Sequence, residues 1–248
     1  MDNKRLEYID DLIDSLKVIK YQDKKIESNT TFLQLKEGYK VPFPEKLYEG
    51  FEIYDNSIIA NVNAEKLEDV VQHFIVMQSG HLFFILELPA DSEQETKRRA
   101  TKEELQKIQE DGIVPREITG IMTTSHKNIY YVDGCSVEEA LVLFERVKKL
   151  LLADGMCQFG FGCHESNDEI MVKKYNIVTI YSENIHQYEV FFEPHEISKI
   201  DNLITAWDTF SASYPGTAEQ IKKDGKTVYD IPELLKEWGI YLAETVEE

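Results

Sequence analysis

Basic residues are scarce in this chain of 248 residues, where 27 Lys and Arg stand against 46 Asp and Glu. The formal net charge of −19 predicts a surface that repels phosphate backbones and anionic lipid head groups. We therefore expect no nucleic-acid-binding face and no membrane binding. Two interpretations of the acidity stay open: it keeps the chain in solution, or it attracts a basic protein partner.

Cysteine is scarce too, with Cys135, Cys157 and Cys163 the only three. An odd number does not suggest a disulfide framework and fits a reducing compartment. No stretch reaches the roughly 18 consecutive apolar residues that a transmembrane helix needs. The start, MDNKRLEYIDDLIDSL, lacks the apolar core of a secretion signal. We therefore expect a cytoplasmic protein, and the abundance of Lys, Ile, Asn and Tyr indicates an AT-rich bacterial genome.

The motifs that identify a cofactor or a common catalytic site are missing as well. The glycine-rich FGFG at 159–162 does not continue into a dinucleotide-binding or P-loop pattern. The cysteines lack the paired spacing of structural zinc sites, and there is no Gly-x-Ser-x-Gly elbow. The sequence therefore names no cofactor and assigns no metal site.

A strand–helix–strand pattern is the clearest feature that the sequence does contain. Ser136 and Glu139 predict a capping box, and the apolar residues of 140–151 recur at helical spacing. Asp154-Gly155 predicts the end of that helix. Further strands are predicted at 156–161, 170–172 and 177–181.

A shorter version of the same pattern lies earlier in the chain. Residues 58–59 predict a strand, Asn63 can cap a helix whose apolar face runs to Met77, and Gly80 ends it before a strand at 82–88. The similarity predicts a duplicated unit covering 57–88 and 128–182. The alternative, that any two strand–helix–strand units look alike at this level, stays open.

These patterns predict a single α+β domain over 1–248, with an antiparallel or mixed sheet built from the two similar strand–helix–strand units. An N-terminal amphipathic helix is predicted over 3–20. The C-terminal extension, 183–248, is predicted to be helical because apolar residues in 197–210 show helical spacing. The role of the charged stretch 90–111 stays open.

The first candidate for chemistry is the run Cys163-His164-Glu165 together with Asp168. A cysteine nucleophile needs a base and nearby backbone donors, and the neighbouring glycines can expose such donors. We therefore predict a catalytic role for these four residues. Adjacent strand residues point to opposite faces, so His164 does not naturally meet Cys163. A turn that happens to contain a cysteine is the alternative.

A ligand-binding role is predicted for His126, Phe159 and Phe161. The two phenylalanines alternate with glycines, which is typical of a strand that packs against something flat. The flat partner is either a neighbouring helix or a planar ligand. His126 could join Cys163 and His164 from another part of the chain.

Two functions follow from these observations. The first is an acidic cytoplasmic non-enzymatic binding protein that neutralises or regulates a basic protein partner, as small acidic bacterial toxin inhibitors do. The alternative is a hydrolase or transferase with a Cys/His or metal site around Cys163–Asp168. A small-ligand sensor covered by the loop VPFPEKLY is a third possibility. The oligomeric state stays open.

Overall fold

The computed structural model of the protein describes residues 31–90 and 126–247. The predicted helix over 3–20 lies outside the described residues, as does the charged stretch 90–111 beyond its first residue. The described strands are β1 (Tyr39–Lys40), β2 (Gly50–Tyr54), β3 (Ser57–Asn61), β4 (Leu82–Pro89), β5 (His126–Cys135), β6 (Gln158–Cys163), β7 (Glu169–Val172), β8 (Ile177–Tyr181), β9 (Thr217–Ala218) and β10 (Tyr241–Glu247). The described α-helices are α1 (Leu67–Met77), α2 (Val137–Leu151) and α3 (Ile231–Leu234).

Eight of these strands form one sheet in the order β10-β5-β4-β6-β7-β8-β3-β2. Every neighbouring pair in it is antiparallel. The prediction of an α+β fold is therefore confirmed, and of the two predicted sheet types, antiparallel or mixed, the described strands form the antiparallel one. Among the described residues, no helix is long and apolar enough to cross a membrane.

The two longer helices contact each other and share one core with the sheet. The predicted capping box of α2 is confirmed, since Ser136 Oγ accepts the Glu139 N–H at 3.2 Å and Glu139 Oε2 accepts the Ser136 N–H at 2.8 Å. On β4, Leu82, Phe84 and Leu86 belong to this core. The alternate residues of the strand belong to the opposite side of the sheet. We call the two sides the helix-covered face and the far face.

Each of the two helices connects strands that are not neighbours in the sheet. The chain runs from β3 through α1 to β4, with β8, β7 and β6 between those strands. It then runs from β5 through α2 to β6, with β4 between them. In both cases the connected strands are parallel to each other. This topology places both crossovers over the same core.

A two-stranded sheet of β1 and β9 lies beside the main sheet, over a small apolar cluster that includes Tyr39, Tyr175 and Ala206. The loop VPFPEKLY belongs to this region. Its Phe43 ring lies 5.4 Å from Tyr214, and Lys46 Nζ lies 4.4 Å from the Phe43 ring centre.

The C-terminal segment differs from the predicted helical extension. Residues 183–239 form short 3-10 turns, the two-residue strand β9 and α3, which is one turn of α-helix, and the chain then continues as strand β10. The physical reason is that other partners satisfy the backbone here. Ser198 and Ile200 hydrogen-bond to the backbone of Phe51 on β2, and the Leu203 N–H donates to Glu52.

Candidate functional site

The predicted catalytic residues lie in and beside the turn after β6. Cys163 is 2% exposed, and its Sγ lies 3.5 Å from Glu165 Oε2. The Glu165 carboxylate also accepts the His81 backbone N–H at 2.7 Å and lies 2.7 Å from His81 Nδ1. The hydrogen bond from the His81 side chain, with help from its backbone, lowers the pKa of Glu165 to about 2. The thiol therefore has a carboxylate beside it, and that carboxylate is held in its charged form.

His164 lies on the far face of the sheet, away from the thiol. Its ring centre is 4.7 Å from that of Phe83, and its Nε2 is 3.5 Å from Asp133 Oδ1. Cys163, by contrast, pairs in register with Leu82, which belongs to the helix-covered core. The structure does not bring the Cys163 thiol and the His164 ring together. Cysteine chemistry at this turn stays a prediction.

Asp168 is buried and fastens the turn to the segment that follows β8. Its Oδ2 accepts the Tyr188 hydroxyl at 2.9 Å and the Gln187 side-chain amide at 3.0 Å. Its backbone carbonyl accepts the Cys163 N–H at 2.9 Å. These contacts give Asp168 a clear structural role in shaping the turn.

Phe159 and Phe161 are fully buried on the helix-covered face. Their ring centres lie 6.0 and 5.9 Å from that of Phe144 on α2. The sequence left open whether these two rings pack against a helix or against a planar ligand. In the structure they pack against helix α2. His126 lies at the start of β5, with Nε2 3.9 Å from Glu247 Oε1. Cys163 is level with the other end of β5, so His126 does not join it.

An open cleft of about 400 Å³ borders the turn. It lies between the end of α1 and the first turn of α2, and the Glu165 carboxylate that is bound to His81 forms part of its wall. The lining residues are Ser79, Gly80, His81, Ser136, Val137, Glu138 and Glu165.

The far face carries a row of four rings from four adjacent strands. Tyr241 on β10 lies 6.3 Å from Tyr131 on β5, measured between ring centres. Tyr131 lies 6.0 Å from Phe83 on β4, and Phe83 lies 4.7 Å from His164 after β6. Tyr241 is 48% exposed and the His164 side chain 54% exposed. We call these four residues the aromatic row.

Glycines in β6 make room for this arrangement. A Cβ atom on Gly162 would stand 2.2 Å from Phe83 Cζ, and one on Gly160 would stand 2.1 Å from the Ile170 carbonyl oxygen on β7 and 2.3 Å from Met171 Sδ. A side chain at Gly162 would displace the Phe83 ring, and one at Gly160 would collide first with the backbone of β7. In FGFG, the two phenylalanines therefore fill the core on the helix-covered face. On the far face, the two glycines leave room for the Phe83 ring and for the close approach of β7.

Carboxylates surround the middle of the aromatic row. Burial raises the pKa of Tyr131, and the negative charges of Glu169, Glu244, Glu87 and Asp133 raise it further. Each of these charges makes ionisation of the Tyr131 hydroxyl less favourable. We call the aromatic row and these four carboxylates the acidic aromatic face.

Two of the four carboxylates have a side-chain partner within 3 Å, and only one of those partners is a cation among the described residues. Glu87 accepts Lys127 Nζ at 2.7 Å, and Asp133 accepts the Tyr241 hydroxyl at 2.6 Å. Within the part of the chain that the structure describes, Glu169 and Glu244 form no ion pair of 4 Å or less. Burial and the charge of Glu87 raise the pKa of Glu169, although Lys173 opposes the shift. A cation placed beside Glu244 would meet a carboxylate that forms no ion pair with any described residue.

Sequence reasoning missed Phe83, Tyr131 and Tyr241 as members of a site. A usable signal existed in the period-two patterns of β4 and β5, which place Phe83, Ile85 and Glu87 on the side opposite the core residues. Tyr241 carried no such signal because its segment did not read as a strand.

Comparisons of the chain with protein-family models, with curated proteins and with solved structures give no match.

Proposed function

We propose that this protein is an acidic, non-enzymatic binding protein that neutralises or regulates a basic protein partner in the bacterial cytoplasm. The observation that carries the proposal is the acidic aromatic face. There, the negative charges of Glu169 and Glu244 act on Tyr131, whose ring lies 6.3 Å from the exposed Tyr241, and neither carboxylate has an ion pair among the described residues. Tyrosine is enriched at protein interfaces because it buries a large apolar area with one polar end.

The chemistry of this face favours a cationic partner over other ligands. Carboxylates around a tyrosine repel phosphate groups, so a nucleic acid is a poor fit. A lysine or arginine side chain gains from both kinds of neighbour, since it pairs with a carboxylate and also lies favourably over an aromatic ring. The net charge of −19 would attract such a partner from a distance.

Native mass spectrometry of the protein recovered from its own host tests the proposal. We expect a basic protein bound at one-to-one stoichiometry, and we expect Glu169→Gln with Glu244→Gln to remove most of it. The matched control is Glu65→Gln with Glu193→Gln, which changes the net charge equally at two exposed glutamates elsewhere on the surface. This control should keep the partner.

Three outcomes would contradict the proposal. One is a protein partner that is not basic. Another is equal retention of the partner by both double variants. The third is a bound metal or small molecule with no protein partner, which would favour the alternative of a hydrolase or transferase around Cys163–Asp168.

We propose in addition that 57–88 and 128–182 are copies of one strand–helix–strand unit within a single domain. The similar crossovers of α1 and α2 support this. The two units differ at the N-terminus of the helix. The Ser136 side chain caps α2, whereas the Asn63 side chain makes no capping hydrogen bond and its Oδ1 accepts the backbone N–H of Gln34 at 2.7 Å.

A further inference from the structure

The two edges of the main sheet differ in whether their backbone has a partner. At the β2 edge, the Phe51 N–H donates to the Ser198 carbonyl at 3.1 Å, and the Ile200 N–H donates to the Phe51 carbonyl at 2.8 Å. The β10 strand pairs with β5 on one side. On its other side, no backbone partner occurs among the described residues, 31–90 and 126–247. An unpaired strand edge is a template for another strand.

Strand β10 continues the acidic aromatic face up to this edge. Tyr241 lies opposite Tyr131, Glu244 opposite Ile129, and all four therefore share the far face. The neighbouring residue Leu242, on the other side of the strand, is 50% exposed. A strand added beside β10 would place alternate side chains next to Tyr241 and Glu244, because side chains of neighbouring strands stand about 5 Å apart.

A second copy of this chain is a poor occupant of the edge. Antiparallel pairing of β10 with itself about its middle residue would place Glu244 opposite Glu244 and Tyr241 opposite Glu247. Like charges directly opposite each other on neighbouring strands are destabilising. Two chains of net charge −19 would also repel each other as a whole. A register shift at Ala243 interrupts the ladder and further hinders a long symmetric pairing.

A strand with basic side chains fits where a second copy does not. A lysine or arginine opposite Glu244 would form a cross-strand pair of opposite charges. A second one nearby would lie over the exposed Tyr241 ring. Its backbone would pair with the outer N–H and C=O groups of β10, which have no backbone partner among residues 31–90 and 126–247, and such pairing is the source of affinity in strand addition.

We propose that the basic partner binds by adding an extended segment, with Lys or Arg at alternate positions, to the β10 edge of the sheet. The proposal rests on the proposed function and makes it more specific. Backbone pairing with β10 holds the segment, and the carboxylates and rings of the acidic aromatic face select its charge.

Two blocked peptides of equal charge test this inference with the full-length protein. One alternates Lys and Val, and the other alternates Lys and Pro, which lacks the N–H groups of every second residue. We expect the Lys-Val peptide to bind and the Lys-Pro peptide to bind at least about tenfold more weakly, since proline removes ladder hydrogen bonds. Amide exchange of β10 should slow by about tenfold at a Lys-Val concentration ten times its Kd. Exchange of β2 amides should not change.

A charge reversal provides the second readout. Glu244→Lys should weaken binding of the Lys-Val peptide by about threefold or more. The same variant should gain affinity for a peptide that alternates Glu and Val. Glu65→Lys is the control for the change in net charge and should leave the order of the peptides as in the wild type.

The outcomes separate the inference from the function on which it rests. Equal, salt-sensitive binding of the Lys-Val and Lys-Pro peptides without protection of β10 would overturn strand addition and leave the proposed function standing. Failure of both basic peptides to bind, or binding that salt does not weaken, would count against the proposed function itself.

Discussion

The β2 and β10 edges carry nearly the same exposed side chain but use their backbones differently. Tyr54 on β2 is 45% exposed and donates to Glu52 at 2.7 Å, while Tyr241 on β10 is 48% exposed and donates to Asp133 at 2.6 Å. The 198–200 segment pairs with the backbone of Phe51 on β2, and no described residue pairs with the outer backbone of β10. Among the described residues, backbone pairing rather than side-chain composition therefore distinguishes the β2 edge, which is closed at Phe51, from the β10 edge.

The largest expected difference between the β2 and β10 edges is in how much a substitution there lowers the free energy of unfolding. Phe51 on β2 is 4% exposed, and its ring stacks on Phe192 at 4.9 Å beneath the cover segment. Phe51→Ala should cost about 3–5 kcal/mol of unfolding free energy because it leaves a cavity under that segment. Tyr241→Ala should leave the midpoint of urea unfolding close to that of the wild type. Equal losses of unfolding free energy in Phe51→Ala and Tyr241→Ala would contradict the difference between the two edges.

The free energy of unfolding should also depend on pH, through two histidines near the segment that covers the β2 edge. The 198–200 segment that pairs with β2 comes shortly after His195 in the chain. His195 Nε2 lies 2.9 Å from His73 Nδ1 on α1, and the Phe191 ring stacks on His73. Burial lowers the pKa of both histidines to about 4, and at His195 the charges of His73 and Lys66 add to the shift. The neutral pair is thus favoured in the folded state. Its contribution is complete above pH 6.5 and is lost as the pH falls toward 4.

We expect up to about 1.4 kcal/mol of lost stability per pH unit for each histidine in that window. Urea unfolding at several pH values between 7 and 4 measures it. The comparison is with His73→Asn and His195→Gln together, which keep the hydrogen-bonding positions but do not titrate. The double variant should show a flatter pH dependence. Parallel curves would show that the histidine pair does not carry the effect.

The smallest predicted effect compares the two tyrosines in binding. Tyr241→Ala should weaken binding of the Lys-Val peptide by about two- to fivefold, the size of an exposed cation–π contact. Tyr54→Ala is the matched control, since it removes an equally exposed tyrosine at the closed edge. Titration by fluorescence anisotropy measures both. A larger loss of affinity in Tyr54→Ala than in Tyr241→Ala would indicate that the peptide binds at the β2 edge and would contradict binding at β10.

Local sequence signals predicted the parts of the fold that local physics determines. Helix α2 begins and ends as its capping box and its apolar spacing indicate, because both signals lie within the helix itself. Residues 197–210 were predicted to be helical from the spacing of their apolar residues. There, hydrogen bonds to β2 and to Glu52, which lie some 150 residues away in the chain, override that local preference.

The acidic aromatic face was hidden for a related reason. Phe83, Tyr131, His164 and Tyr241 come from four distant stretches, and only the register of β10, β5, β4 and β6 aligns them. Sequence periodicity predicts which side of a strand a residue occupies but does not predict which strands become neighbours. The turn at 163–168 attracted attention because its residues are adjacent in sequence. Adjacency on a strand placed Cys163 and His164 on opposite faces, as expected.

The salt dependence of Lys-Val peptide binding tests most directly whether a basic partner binds at the acidic aromatic face. The measurement compares the wild type with the Glu169→Gln and Glu244→Gln double variant, from about 50 mM to about 500 mM NaCl, a range over which screening of exposed charges becomes strong. We predict that salt weakens binding by the wild type at least about tenfold, and that the variant binds weakly throughout with little salt dependence. The same salt dependence in both proteins would show that the acidic aromatic face is not where the basic partner binds.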